Sequence, residues 1–137
     1  MINQASLNPF LMFEGKAEQA MDLYAAHVPD AQTLWVKRYG DEMGEFAGKI
    51  LQARMNLAGQ EVIFFDSSMP HEFTFTPSVS LFLQVEDEAT FDKVVEGLSE
   101  GGNFMMPVGD YGFGPKFCWF NDQFGVSWQV NLGAPQI

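Results

Sequence analysis

Ala17-Glu18-Gln19-Ala20-Met21-Asp22-Leu23-Tyr24 decides the fold, because its pattern returns later in the chain as Phe91-Asp92-Lys93-Val94-Val95-Glu96-Gly97-Leu98. In the first stretch Ala17, Ala20, Met21 and Tyr24 follow the i, i+3, i+4, i+7 spacing of a helix with one apolar face. In the second, Phe91, Val94, Val95 and Leu98 repeat that spacing, and every pair is offset by the same 74 positions. Gly15 is the expected N-cap of the first helix, and Val28-Pro29-Asp30 stops it. Asp87 is the expected N-cap of the second, Glu88 complements its positive end, and Gly101 provides the exit.

Strand-type runs surround both helices. Asn8–Phe13, Thr33–Tyr39, Ile50–Leu57, Glu61–Asp66, Ser78–Val85 and Lys116–Phe120 are short and rich in branched or aromatic residues. Much of the chain's Phe, used 14 times, falls inside them. Turn signals separate them at Gly40-Asp41, Ala58-Gly59, Ser67 to Pro70, Gly101-Gly102-Asn103 and Asn121-Asp122 before Gly125. Each helix thus follows one strand and precedes about three more. That order, given twice, implies a duplicated strand–helix–strand–strand–strand unit. A ferredoxin-like domain with fewer strands is the alternative.

Alternation assigns the faces. In Ser78–Val85 the odd positions are aliphatic and suit a helix-packed core, leaving Ser78, Ser80, Phe82 and Gln84 on the other side. The last strand repeats the scheme, with Val126, Trp128 and Val130 on one side and Ser127, Gln129 and Asn131 on the other. This second face is polar yet uncharged. It is either solvated surface or the lining of a cup.

Composition limits the partners. Among 137 residues, 7 are basic and 18 acidic, a formal net charge of −11. That balance repels phosphate backbones and argues against nucleic acid or an anionic membrane as partner. A single cysteine excludes an internal disulfide framework and fits a reducing compartment. No apolar run approaches the ~20 residues needed to span a bilayer. Met1-Ile2-Asn3-Gln4-Ala5-Ser6 lacks the basic flank and apolar core of a signal peptide, so a cytoplasmic protein is expected.

The stretch Asn8-Pro9-Phe10-Leu11-Met12-Phe13-Glu14-Gly15-Lys16-Ala17 through Tyr24 resembles the opening of PhnB-like proteins. These form a branch of the vicinal-oxygen-chelate superfamily of glyoxalase I, bleomycin-resistance proteins and extradiol dioxygenases. Gly59 to Asp66 with Ser67, Gly101-Gly102 with Met106-Pro107, and Trp119-Phe120-Asn121-Asp122-Gln123-Phe124-Gly125-Val126-Ser127-Trp128-Gln129 continue the likeness in order. The resemblance implies an α+β fold of two βαβββ modules, residues 8–68 and 78–132 of a single domain, whose eight strands form an open cup. It implies a homodimer, with the cup built within one chain or shared across the dimer.

Metal-using members of the superfamily draw four ligands, commonly His and Glu, from the first, fourth, fifth and eighth strands. Carried over by strand order, those positions hold Pro9 or a neighbour, Ile63 or the adjacent Val62 or Phe64, Ser80 and Gln129. None is a strong ligand for a divalent transition metal, so no metal and no cofactor is expected. His27 and His71 read as capping and surface residues, and Cys118 as a buried, unreactive thiol. Members of this branch also carry the label demethylubiquinone methyltransferase. Gly109, Gly112 and Gly114 lead into a strand and not a helix, which argues against a nucleotide-type cofactor turn. That glycine segment is a loop over the cup mouth or a plain surface turn.

The function expected is metal-independent binding, or an uncharacterised transformation, of a small organic molecule. Its lining would be Ser80, Phe82, Gln129 and Asn131, with Trp119 and Tyr111 beside them. A metal-dependent glyoxalase-like lyase or isomerase is the alternative, and a structural or assembly protein is a third class.

Overall fold

The computed structural model describes residues 5–133. Met1–Gln4, which enter the signal-peptide reading, lie outside the described residues. The chain divides into two compact units, the division falling between Pro70 and His71. No helix among the described residues is long and apolar enough to cross a membrane.

The first unit runs β1 (Phe10–Phe13), α1 (Ala17–His27), β2 (Gln32–Arg38), β3 (Ile50–Leu57) and β4 (Gln60–Asp66). Its sheet has the order β1-β4-β3-β2, with β1 parallel to β4 and the other pairs antiparallel. The second unit runs β5 (Leu81–Val85), α2 (Glu88–Ser99), β6 (Asn103–Gly109), β7 (Phe117–Asn121) and β8 (Ser127–Leu132). Its order is β5-β8-β7-β6, with β5 parallel to β8 and the other pairs antiparallel. The two units share one topology, so the duplication inferred from helical spacing is structural. Eight strands among the described residues, in two open four-stranded sheets, exclude the ferredoxin-like alternative.

The expected helical faces are the buried ones: Ala17, Ala20, Met21 and Tyr24 in α1, and Phe91, Val94, Val95 and Leu98 in α2. α1 covers β3 and β4, where Phe64 meets Tyr24, and α2 covers β8 and the neighbouring edge strand β5, over a core in which Phe120, Trp128 and Val130 are buried. Burying such side chains contributes about 1.5–3 kcal/mol each.

Three local expectations need correction. Gly15 does not cap α1. Lys16 holds the cap position without a side-chain bond, and the Asp66 carboxylate at the end of β4 accepts from Gly15 N and Ala17 N instead. A residue 49 positions away supplies the acceptor, which no local pattern reveals. Asp87 does cap α2, accepting from Thr90 N at 2.7 Å. Second, β5 begins at Leu81, and Val79, read as core, is 77% exposed. Third, Asn103–Gly109 is a strand where the sequence suggests a turn and a loop. It is an edge strand with two register shifts, and Pro107 is tolerated there because an edge leaves one row of backbone groups unpaired.

Candidate functional site

Side chains that point away from α2 form three cross-strand rows on the second sheet. Phe82, Gln129, Trp119 and Met106 are consecutive partners in one row. Gln84, Asn131 and Phe117 make the next, and Ser127 and Asn121 the third, with Ser80 one residue before the start of β5. Trp128 and Val130 of β8, and Val126 just before it, are buried, and so are Ser127 and Asn131 on the other face, which leaves Gln129 as the partly open residue of the strand.

A tight turn holds that register. Asp122 is buried and its carboxylate accepts from Phe124 N at 2.8 Å, Val126 N at 3.1 Å and the Trp128 indole N–H at 3.0 Å. Gly125 takes φ +89°, a left-handed conformation that a side chain would strain. The Asp122-Gln123-Phe124-Gly125 motif is therefore an anchor for β8, which fixes where Gln129 points.

The neutral face carries a hydrogen-bond chain. Trp119 Nε1–H donates to Ser127 Oγ at 2.8 Å, Ser127 Oγ and Ser80 Oγ lie 2.7 Å apart, and Gln129 Nε2 donates to Ser80 Oγ at 3.3 Å. Ser127 is buried, while Ser80, Gln129 and Trp119 are partly open. Phe82, 56% exposed, lies beside them in the Gln129 row. Its ring is 6.4 Å from Phe117, which Tyr111 and Phe113 meet edge-on at 5.9 and 4.9 Å.

Asn131 is 1% exposed. Its Nδ2 donates to Phe113 O at 3.2 Å and weakly to Gln84 Oε1 at 3.5 Å. It thereby ties the glycine-rich segment between β6 and β7 to the sheet. Gly114 sits so close that an added Cβ would run into Leu132 O and meet Asn131 Oδ1 at 3.0 Å. The Tyr111 hydroxyl donates to Pro107 O at 2.8 Å, bracing the same segment. Ser80, Phe82, Trp119 and Gln129 are thus brought together as an open patch, with Asn131 and Tyr111 at its margin holding the segment down. Phe117 and Phe113 belong to this cluster and were missed by sequence reasoning. Alternation within Phe117–Asn121 does place Phe117 on the Trp119 side.

Buried polar atoms without a partner lie on this same side. Asn121 Oδ1 and Asn131 Oδ1 accept no hydrogen bond from the described residues. Cys118, by contrast, points toward the core, and burial pushes its thiol up to about 12.

In the first unit the equivalent side presents Phe10, Ile63, Arg54 and Trp35 as a cross-strand row. Arg54 pairs with Glu61 at 2.7 Å and lies 5.8 Å from the Trp35 ring centroid. The outward residue of β1 is Phe10, since Leu11 is buried on the helix side. The positions that the resemblance assigns to metal ligands therefore offer a phenyl ring, an aliphatic chain, a hydroxyl and a carboxamide. No group of three or more His, Cys, Asp or Glu able to hold a metal ion occurs among the described residues. This donor set does not fit a divalent transition metal.

Two βαβββ units with open sheets are the fold of the glyoxalase, bleomycin-resistance and dioxygenase class. A domain of that class from Frankia sp. aligns at TM-score 0.63 and 16% identity, over 96% of this chain and 94% of that chain, a likeness of fold. The family model described as 3-demethylubiquinone-9 3-methyltransferase matches residues 5–131, and the chain belongs to that family, the PhnB-like branch of the class. A PhnB protein from Bacillus cereus is 41% identical, with TM-score 0.87 over 93% of this chain and 99% of that chain. A protein from Pseudomonas aeruginosa is 26% identical, with TM-score 0.78 over 94% and 98%. No curated protein matches the chain.

Proposed function

We propose that the chain binds a small organic molecule without a metal ion, on the neutral face of β5, β8 and β7. Ser80 and Gln129 orient the ligand, and Phe82 and Trp119 supply contact area. Asn131 and Tyr111 fix the adjoining segment. The observation that carries this reading is the chain Trp119–Ser127–Ser80–Gln129, which links β7 and β8 to the residue that leads into β5. Its outer members remain partly open beside an exposed aromatic ring. A few placed polar groups among aromatic side chains are the usual make-up of a small-molecule site. The same reading includes a cytoplasmic homodimer, in keeping with a lone buried cysteine and exposed apolar residues on the edge strand β2.

The methyltransferase in the family's description finds no support in the glycines. Gly109, Gly112 and Gly114 lie at the end of β6 and in the segment that joins it to β7, an antiparallel partner. A cofactor turn of the usual kind joins a strand to a helix in a parallel sheet. A glyoxalase-like lyase or isomerase needs ionisable ligands, which the four positions lack.

Thermal-shift screening against a metabolite panel, with and without EDTA, tests the proposal. A ligand that binds only the folded state raises the midpoint by mass action. Stabilisation that persists in EDTA and declines in Gln129→Ala is expected. Stabilisation that EDTA abolishes and manganese or nickel restores would favour the metal-dependent reading.

A further inference from the structure

Counting hydrogens along the side-chain chain shows what it lacks. The Trp119 indole brings one, Ser127 and Ser80 one each, and the Gln129 amide two, five in all. The three hydrogen bonds of the chain consume three of them. Two hydrogens are left over. The Ser127 hydroxyl is buried and has no partner beyond Trp119 and Ser80 among the described residues, so its proton belongs on Ser80. With Gln129 Nε2 donating to Ser80 Oγ, both lone pairs of Ser80 are filled, and its own O–H is spare beside the second N–H of Gln129. If the amide is turned over, Ser80 O–H donates to the amide oxygen and both spare hydrogens sit on Nε2. Either way the surplus lies where Ser80 meets Gln129.

We infer that this junction is a site for the carbonyl oxygen of an uncharged ketone or amide, with the ligand's ring or alkyl group on Phe82. The inference rests on the binding face proposed above and names what that face takes. A carbonyl oxygen has two lone pairs and no hydrogen, the complement of two adjacent donors. Phe82 is the direct cross-strand partner of Gln129, so a group attached to the carbonyl carbon reaches the ring within about 5 Å. Carboxylates are disfavoured. The three rows contain no cationic side chain, and the chain carries −11. Asn121 Oδ1 and Asn131 Oδ1 add buried, unpaired negative dipole ends to the same side. Desolvating an anion there has no counter-charge to offset it.

Acetophenone, 1-phenylethanol and benzoate share a ring and differ at the polar group, so they serve as probes. NMR titration of the 15N-labelled protein follows the Gln129 side-chain amide and the Trp119 indole N–H, assigned by its loss in Trp119→Phe. Acetophenone is expected to shift both signals saturably and to bind about five-fold or more tighter than either analogue, the worth of one hydrogen bond. Ser80→Ala should weaken acetophenone by a similar factor, and Ser80→Thr, which keeps the hydroxyl, should retain it. Benzoate binding as tightly as the ketone, an unchanged affinity in Ser80→Ala, or no shift with acetophenone would each overturn the inference. If the ketone fails while a panel metabolite still shifts these signals in EDTA, the binding face stands and only the carbonyl assignment falls.

Discussion

The Asp66 carboxylate accepts a hydrogen bond from Ala17 N at 2.9 Å, tying the end of β4 to the first turn of α1. The same carboxylate takes Gly15 N at 2.8 Å and Ile50 N at 3.1 Å, and it is fully buried. Removing it strands three backbone donors, each costing about 1–3 kcal/mol when buried and unpaired. Asp66→Ala should therefore destabilise the first unit by about 3–5 kcal/mol. Asp66→Asn, which keeps one acceptor oxygen, should lose less. Urea unfolding checks the order. A loss below about 1 kcal/mol in the alanine variant would mean that water replaces the carboxylate.

Trp128 and Gln129 are neighbours in β8 with opposite duties. Trp128 is buried, with its indole on Asp122, while Gln129 faces outward. Trp128→Ala should cost about 3–5 kcal/mol and Gln129→Ala far less. Equal losses in chemical denaturation would show that the two faces of β8 are misassigned.

The contrast between these residues also marks what a sequence makes legible. Helical spacing in Ala17–Tyr24 and Phe91–Leu98, and alternation in Val126–Asn131, are local consequences of backbone geometry and were readable. The acceptor for Ala17 was not, because contacts across 49 positions leave no periodic trace. β6 escaped notice because its register shifts and Pro107 erase alternation on an edge. In the proposed site, strand order led to Gln129 and to Ser80, which falls one residue short of β5, whereas the pairing of Ser127 with Trp119 depends on register between β7 and β8.

Cys118 should resist alkylation. With its thiol pushed up to about 12 by burial, only about one part in ten thousand is thiolate at pH 8. Iodoacetamide at that pH should label the denatured chain quickly and the native chain only through unfolding. The folded chain keeps a proton that the unfolded chain, with a pKa near 9.0, gives up. This contribution to stability is whole below that value and declines as pH rises toward about 12. Prompt native labelling would contradict the burial.

Association is expected to give a homodimer. Leu34, Trp35 and Val36 stand exposed on β2, an edge strand whose backbone groups are unpaired on one side. Such an edge is usually covered. Light scattering at micromolar concentration should give twice the 15.3 kDa chain mass, and a stable monomer would remove the expectation.

Gln129→Glu should alter what the chain binds more than whether it folds. The amide sits partly open on the face, with Ser80 as its hydrogen-bond partner at 3.3 Å, so a carboxylate there stays hydrated. A stability change within about 1 kcal/mol is expected. The carboxylate removes two of the five hydrogens on the chain and adds charge, so neutral carbonyl ligands should weaken and cationic ones gain. Metal binding should not follow from this single change. Phe10 and Ile63 still present carbon at the first two positions, and one carboxylate with a serine hydroxyl does not replace the hydration shell of a divalent ion. Elemental analysis of wild-type and variant protein, purified without chelator, should find no stoichiometric zinc, nickel, manganese or iron in either. Near-stoichiometric metal in the wild type would restore the glyoxalase-like reading. Metal in the variant alone would show that the Gln129 amide is what keeps the position from binding an ion.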